Sequence, residues 1–271
     1  MRKLIMHQID AFADKVFGGN PAAVIVLEAD LPDTEMQAIA MENNLAETAF
    51  LRRIGDAWTI RWFTPVHEAA FCGHATLAAA HALVTEHGVT GELVFKTRSV
   101  GTLRVQSDGG DRYSLDVPCL MPEPLEPLPA AFELLFPEGI CSSFRNFENL
   151  FVELSCAAAV TAYVPDMLRI ADLAPFGLVI TGVGGTTHTG EPVDFVSRYF
   201  APAAGIPEDP VTGSTHATLV PFWSARLGRT SLSGFQASAR GGRLSCQLKK
   251  ERVILSGGAV TFMQAEIRLP D

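Results

Sequence analysis

Residues 72–81 read CGHATLAAAH and residues 213–222 read GSTHATLVPF, so the tetrapeptide H-A-T-L follows a glycine twice in one chain. A duplicated domain predicts further matches in the same order, with offsets that drift only by loop insertions. Asn20 opens N-P-A-A-V-I-V and Asn149 opens N-L-F-V-E-L, an offset of 129. Leu31-Pro32-Asp33 returns as Val164-Pro165-Asp166 at 133, each ahead of a predicted helix. Arg61-Trp62-Phe63-Thr64-Pro65 returns as Arg198-Tyr199-Phe200-Ala201-Pro202 at 137, and Gly73 as Gly213 at 140. Aligning the H-A-T-L strings themselves needs 142, whereas 140 also matches Gly88 with Gly228 and predicts two helices of one length. The register of 140 pairs His74 with Ser214 and makes part of H-A-T-L a coincidence of alanine-rich composition.

Local signals fill in each half. QIDAFADKVFGGNPAAVIVL predicts two strands joined by a turn at Gly18 and Gly19. LPDTEMQAIAMENNL predicts a helix with Asp33 as N-cap and Asn44 near its end. The segment from His74 predicts a second helix that stops at Gly88. VPCLMPEPLEPLPAAF breaks the strand pattern and marks the boundary between halves. The fold class is therefore α/β (α+β) with two pseudo-symmetric halves, residues 1–117 and 118–258. The closing segment 259–271, with VTFMQAEIRL, reads as a strand suited to return to the first half.

Composition limits the function. The 271 residues are 48% apolar and 19% charged, enough for packed cores. The net charge of −9, without a basic cluster, offers nothing to phosphates or an anionic membrane, so neither nucleic acid nor membrane is an expected partner. No apolar run reaches membrane-spanning length and MRKLIMHQIDAF lacks a signal core, which predicts a soluble, cytoplasmic protein. The five scattered cysteines, Cys72, Cys119, Cys141, Cys156 and Cys246, predict reduced thiols.

GGNPAAVIV, ENNLAETAFL, FTPVHEAAFCGHATLAAA and FAPAAGIPEDPVTGSTHATL together resemble the signature segments of the PhzF-like phenazine-biosynthesis family, across nearly the whole chain. The resemblance implies a diaminopimelate-epimerase-like fold, in which each half is a curved, mostly antiparallel sheet around a central helix, with the active site between the halves. It implies isomerisation or epimerisation of a small amino or hydroxy carboxylic acid without a cofactor, and a homodimer. The family's catalytic glutamate falls on Glu47, its histidine on His74, its aspartate on Asp209 and its serine on Ser214.

The residues support that chemistry independently. Glu47, in L-A-E-T-A-F-L, sits among apolar neighbours, where desolvation raises a carboxyl pKa toward that of a neutral-pH acid/base. The corresponding stretch of the second half, PFGLVITGVGG, carries no ionisable side chain. Gly73 and Gly213 would let helix-start amides approach a substrate carboxylate, while Asp209 and Ser214 suit an amino or hydroxyl group. Asn20 is a further binding candidate. No metal is expected, because His67, His74 and His81 are spaced by seven residues, about 10 Å along a helix. Two rival readings are a thiol racemase or nucleophile built on Cys72, whose partner at offset 140 is Thr212, and a catalytically silent relative that binds a ligand or partner.

Overall fold

The computed structural model describes residues 2–270. The chain separates into two compact units, Met1–Val117 with Ile254–Asp271, and Pro118–Val253. The first contains β1 (Arg2–Ala11), β2 (Asn20–Leu27), α1 (Asp33–Asn43), β3 (Glu47–Ile54), β4 (Ala57–Phe63) and β5 (Glu68–Ala69). It continues through α2 (Gly73–Thr85), β6 (Glu92–Lys96), β7 (Thr102–Gly109) and β8 (Arg112–Pro118). The second contains β9 (Glu123–Pro124), α3 (Phe132–Leu135), β10 (Ser142–Arg145), β11 (Asn149–Glu153), α4 (Ala157–Ala162) and α5 (Met167–Ala171). After these come β12 (Gly177–Val183), β13 (Phe195–Ala201), β14 (Ile206–Asp209), α6 (Gly213–Leu227), β15 (Ser231–Gln236) and β16 (Gly242–Lys249). The last strand, β17 (Arg252–Leu269), starts in the second unit and runs on into the first.

In the first unit β1 and β2 form the antiparallel hairpin expected of their sequence, with Ala11 opposite Asn20. Gly19 makes the turn possible: its φ of +61° is left-handed, and a Cβ there would run into the Ala11 carbonyl. β2 is parallel to β3, β3 antiparallel to β4, β4 parallel to β6, and β6, β7 and β8 continue antiparallel. β17 pairs with both β1 and β8, so the strands close on themselves. Around this barrel runs an unbroken ladder, which leaves no edge among its paired strands. α2 lies inside and packs against β1, β2, β3 and β7. Its residues from Gly73 to Leu83 are all buried, as a helix of alanine and leucine on every face must be.

The second unit repeats the pairing scheme. β11 is parallel to β12, β12 antiparallel to β13, β13 parallel to β15, and β15 antiparallel to β16. The sharpest mark of duplication is an ion pair. Arg61 holds Glu68 through Nε and Nη2, each at 2.7 Å, with its guanidinium 5.0 Å from the Phe63 ring. Arg198 holds Glu208 through the same atoms at 2.7 and 3.0 Å, with its guanidinium 4.9 Å from the Phe200 ring. The R-x-F-x-P repeat thus encodes a planar clamp that ties β4 to β5 and β13 to β14, a geometry particular to arginine. Trp62 faces Ala69 across the first ladder, and Tyr199 faces Asp209 across the second.

Gly73 and Gly213 open their helices at the offset of 140. At this register His216 answers to Thr76, and both side chains bond the carbonyl four residues back: Thr76 Oγ1 to Cys72 O at 2.6 Å, and His216 Nδ1 to Thr212 O at 2.8 Å. Two details depart from the sequence reading. α6 runs two residues longer than α2, because Gly228 takes the left-handed cap while Glu86 caps α2 in a right-handed conformation. The N-cap of α1 is Pro32, since Asp33 spends its carboxylate on Arg61 Nη1 at 2.6 Å. Among the described residues, no helix is long and apolar enough to cross a membrane.

Candidate active site

Glu47 begins β3, opposite Ala22 of β2, and its side chain is 12% exposed. β2 itself begins at Asn20, which is fully buried. α2 begins one residue beyond Cys72 and places His74 in its first turn, also buried. The parallel β2–β3 pair and the start of the enclosed helix therefore bring four polar side chains together. Asn20 Nδ2 lies 3.1 Å from His74 Nδ1, and His74 Nε2 lies 3.2 Å from Glu47 Oε2. Cys72 Sγ is 3.5 Å from Nδ1 and 4.0 Å from Nε2 of the same ring. With Asn20 donating, Nδ1 is the acceptor and the proton of a neutral imidazole sits on Nε2, toward Glu47. The His74–Glu47 contact is a close charge contact without hydrogen-bond alignment. Glu47 Oε2 is buried, and among the described residues no donor is aligned to it.

The charges of this cluster are interdependent. Burial opposes a charged His74, but the acidic groups beside it, Cys72 and Glu47, outweigh burial and hold its pKa well above the ordinary imidazole value. Burial pushes the Cys72 thiol up to about 11, with Glu47 adding to the effect. At neutral pH the thiol is therefore protonated. A fully protonated His74 carries a donor on Nδ1, so Asn20 must then turn its amide and present Oδ1.

In the second unit, Thr212 and Gly213 open α6 as Cys72 and Gly73 open α2. The Thr212 hydroxyl donates to Asp209 Oδ2. Gln236 of β15 spans the turn: its Oε1 accepts from Thr212 N at 2.8 Å, and its Nε2 donates to Asp209 O at 2.8 Å and Thr212 Oγ1 at 3.1 Å. Asp209 is buried, and Ser214, half-buried, stands in the first turn of α6 outside this network. The first amides of α2 and α6 lack acceptors within their helices, as at any helix start. Gln236 escaped the sequence reading because it lies 24 residues beyond Thr212, with no local pattern to mark it. The signal for the Arg61 and Arg198 clamps was present in the repeated arginines and in Glu68 and Glu208 at offset 140.

The two units differ where the carboxylate stands. Thr48 pairs with Phe63 and Leu178 with Phe200, so Glu47 corresponds to Gly177. A Cβ on Gly177 would lie 2.5 Å from the Tyr199 ring and 2.7 Å from Asn149 Oδ1. The second unit not only lacks an acid there but has no room for a side chain. The histidines considered for metal are dispersed: His67 lies against Thr64, and His81 bonds Tyr113 at 3.2 Å and Thr261 at 3.0 Å.

Comparison with known proteins agrees with this architecture. The family model for phenazine biosynthesis-like proteins, PhzC-PhzF, matches residues 9–265. An uncharacterized isomerase of Pseudomonas aeruginosa is 46% identical over 270 residues, covering 98% of this chain and 99% of that one. The crystal structure of a PhzF-family phenazine biosynthesis protein from Enterococcus faecalis, 41% identical, matches with a TM-score of 0.91 over 99% of this chain and 100% of that one. A hydroxyproline epimerase from Agrobacterium vitis, 12% identical, shares the fold at a TM-score of 0.63, covering 100% of this chain and 94% of that one. The chain belongs to the PhzC-PhzF family of phenazine biosynthesis-like proteins, and it is an isomerase.

Proposed function

We propose that the protein moves a proton on a small amino or hydroxy carboxylic acid without a cofactor, with Glu47 as the single acid/base. The observation that carries this reading is the pairing of a largely buried Glu47, one oxygen free of any aligned donor, with a glycine at the equivalent place in the other unit. Glu47 takes the proton from carbon, and the electron pair of that C–H bond passes into the adjoining unsaturated system. The same carboxylic acid then returns the proton elsewhere on the substrate, so no external acid or base is consumed. His74, held toward its charged form, offsets the negative charge that develops on the substrate and orients Glu47. A two-thiol mechanism is disfavoured by a Cys72 thiol near 11 and by Thr212 in the partner position, its hydroxyl already bonded to Asp209.

Asn20, Gly73 and Gly213 are proposed to bind substrate, and Asp209 and Ser214 to hold its amino or hydroxyl group. Homodimerisation is proposed by family likeness. The test is a panel of small amino and hydroxy carboxylic acids incubated with enzyme in D₂O and followed by proton NMR. Loss of a carbon-bound proton signal, or a rearranged product, is expected with the wild-type protein and not with Glu47→Gln. Asp209→Asn and Ser214→Ala should raise the apparent KM of any acid so identified. Equal exchange by Glu47→Gln and wild type would overturn the reading.

A further inference from the structure

Asp10 lies on β1, beside the point where Ala11 faces Asn20, and is 1% exposed. A carboxylate buried to this degree is costly unless donors reach it. Asp10 Oδ2 accepts from the backbone N–H of Phe17 at 2.8 Å, a charge-assisted bond. Phe17 needs that hold: its φ of +72° is left-handed, a conformation that a bulky side chain adopts only where its surroundings impose it. Its ring is 68% exposed and meets Phe262 edge-on, so core packing does not impose it. Three residues on, the turn delivers Asn20 to the start of β2. Asn20 meets His74 Nδ1 at 3.1 Å, and His74 Nε2 meets Glu47 Oε2 at 3.2 Å. A run of contacts thus leads from Asp10 through the turn to Glu47.

The second unit handles the corresponding turn differently. Asn146 Oδ1 accepts from Glu148 N at 2.9 Å and Asn149 N at 2.8 Å, while its Nδ2 donates to Thr218 Oγ1 of α6 at 2.9 Å. One neutral side chain there both holds the turn and ties it to the helix. In the first unit the two tasks are divided, since Asp10 holds the turn and Asn20 meets the helix.

We propose that Asp10 is a positioning residue for the reaction: its carboxylate fixes the turn over residues 17–20 so that Asn20 stays against His74 Nδ1 and Nε2 stays toward Glu47. The effect on turnover rests on the proposed function of Glu47, whereas the hold on His74 does not. Cys72 and Glu47 are the titratable groups that act on His74, and Asn20, being uncharged, acts on it by hydrogen bonding alone. With the imidazole protonated, Asn20 accepts from Nδ1–H and favours the charged form. Because Asp10 reaches His74 through Asn20, loss of either residue has the same consequence for the imidazole, and loss of both adds little to it.

The test is an NMR titration of the full-length protein labelled with ¹⁵N at histidine, the His74 signals being those lost in His74→Asn. Asp10→Ala and Asn20→Ala should each lower the His74 pKa toward its ordinary value. The double variant should lower it no further than Asn20→Ala alone, as expected of residues in one network. Asp10→Asn, which keeps an acceptor for the Phe17 N–H but not the charge, should lower it by a smaller amount. On an acid that the wild type turns over, kcat of Asp10→Ala should fall by about tenfold or more. A merely structural Asp10 would lower stability to urea and leave the His74 titration unmoved, and that result in folded Asp10→Ala would overturn the proposal. Additive shifts in the double variant would overturn it as well. Should Asp10→Ala fail to fold, Asp10→Asn decides, and a wild-type His74 titration there would contradict the role of the carboxylate. None of these outcomes touches the role of Glu47, which is read from the D₂O exchange of Glu47→Gln.

Discussion

His74 Nε2 stands 3.2 Å from Glu47 Oε2, and this contact places the histidine of a helix start against the carboxylate that opens a strand. Burial alone would make His74 a weak base, but the acidic neighbours reverse the direction and raise its pKa above 6.5. A group whose pKa is raised on folding contributes stability that is complete below the unfolded value and is lost as pH rises through the folded value. Urea unfolding of wild type and His74→Asn should therefore differ most below about pH 6.5 and converge at higher pH. A difference that does not change with pH would contradict the charge assignment.

The Cys72 thiol, pushed up to about 11, is protonated at neutral pH and has Thr212 rather than a second cysteine as its counterpart. Cys72→Ala should keep turnover within about tenfold of wild type. A loss beyond about a thousandfold in a folded variant would restore thiol chemistry to the mechanism.

The duplicated clamps predict matched penalties. Arg61 and Arg198 are 15% and 12% exposed, and each also has a third partner, Asp33 Oδ1 at 2.6 Å and Tyr163 O at 2.6 Å. Replacement of either arginine by methionine should lower the unfolding free energy by about 1–3 kcal/mol, the scale of losing hydrogen bonds to a charged group. Lysine should recover only part of the loss, because it cannot engage the carboxylate with two parallel N–H groups. Full recovery with lysine would show that charge alone, and not the planar fork, holds the strands.

His216, unlike His74, is held neutral. It is fully buried and donates Nδ1–H to Thr212 O, and burial pushes its pKa down to about 4. A histidine kept neutral on folding costs stability as pH falls, because the unfolded chain takes up a proton that the folded one refuses. Between about pH 6.5 and about 4 this single residue should remove about 3 kcal/mol. In His216→Gln that part of the acid-side decline should disappear, as read from unfolding at a series of pH values.

The fold was legible in the sequence where side chains recur at fixed register. Arg61 and Arg198 with their following phenylalanines, and Gly73 and Gly213, each occupy equivalent places in the two units. Asn20 and Asn149 both open their strands, but two residues apart in register, since Ala22 pairs with Glu47 and Asn149 with Gly177. The repeated H-A-T-L misleads at face value, because at the true register His216 stands where Thr76 does and merely repeats its bond to the helix start. Asn20, Glu47 and His74 were legible as separate candidates, and their convergence follows from the parallel pairing of β2 and β3 beside α2. Cys72 as a neighbour of Glu47 was not legible, since side-chain direction at a helix N-cap is not written in spacing. Gly177 was legible as the absence of an acid, but its exclusion of any side chain depends on the Tyr199 ring from another strand. Gln236 required the β13–β15 pairing that carries it to the foot of α6.

The central claim is that one carboxylate carries the proton, and Glu47→Gln tests it most directly because glutamine keeps the shape of the side chain but cannot accept the proton. The measurement is the rate of carbon-bound hydrogen exchange and product formation in D₂O, on an acid that the wild-type protein turns over. A fall of at least ~10³, about 4 kcal/mol of barrier, is the predicted result, with ligand affinity largely retained. Turnover by Glu47→Gln at the wild-type rate would contradict the account.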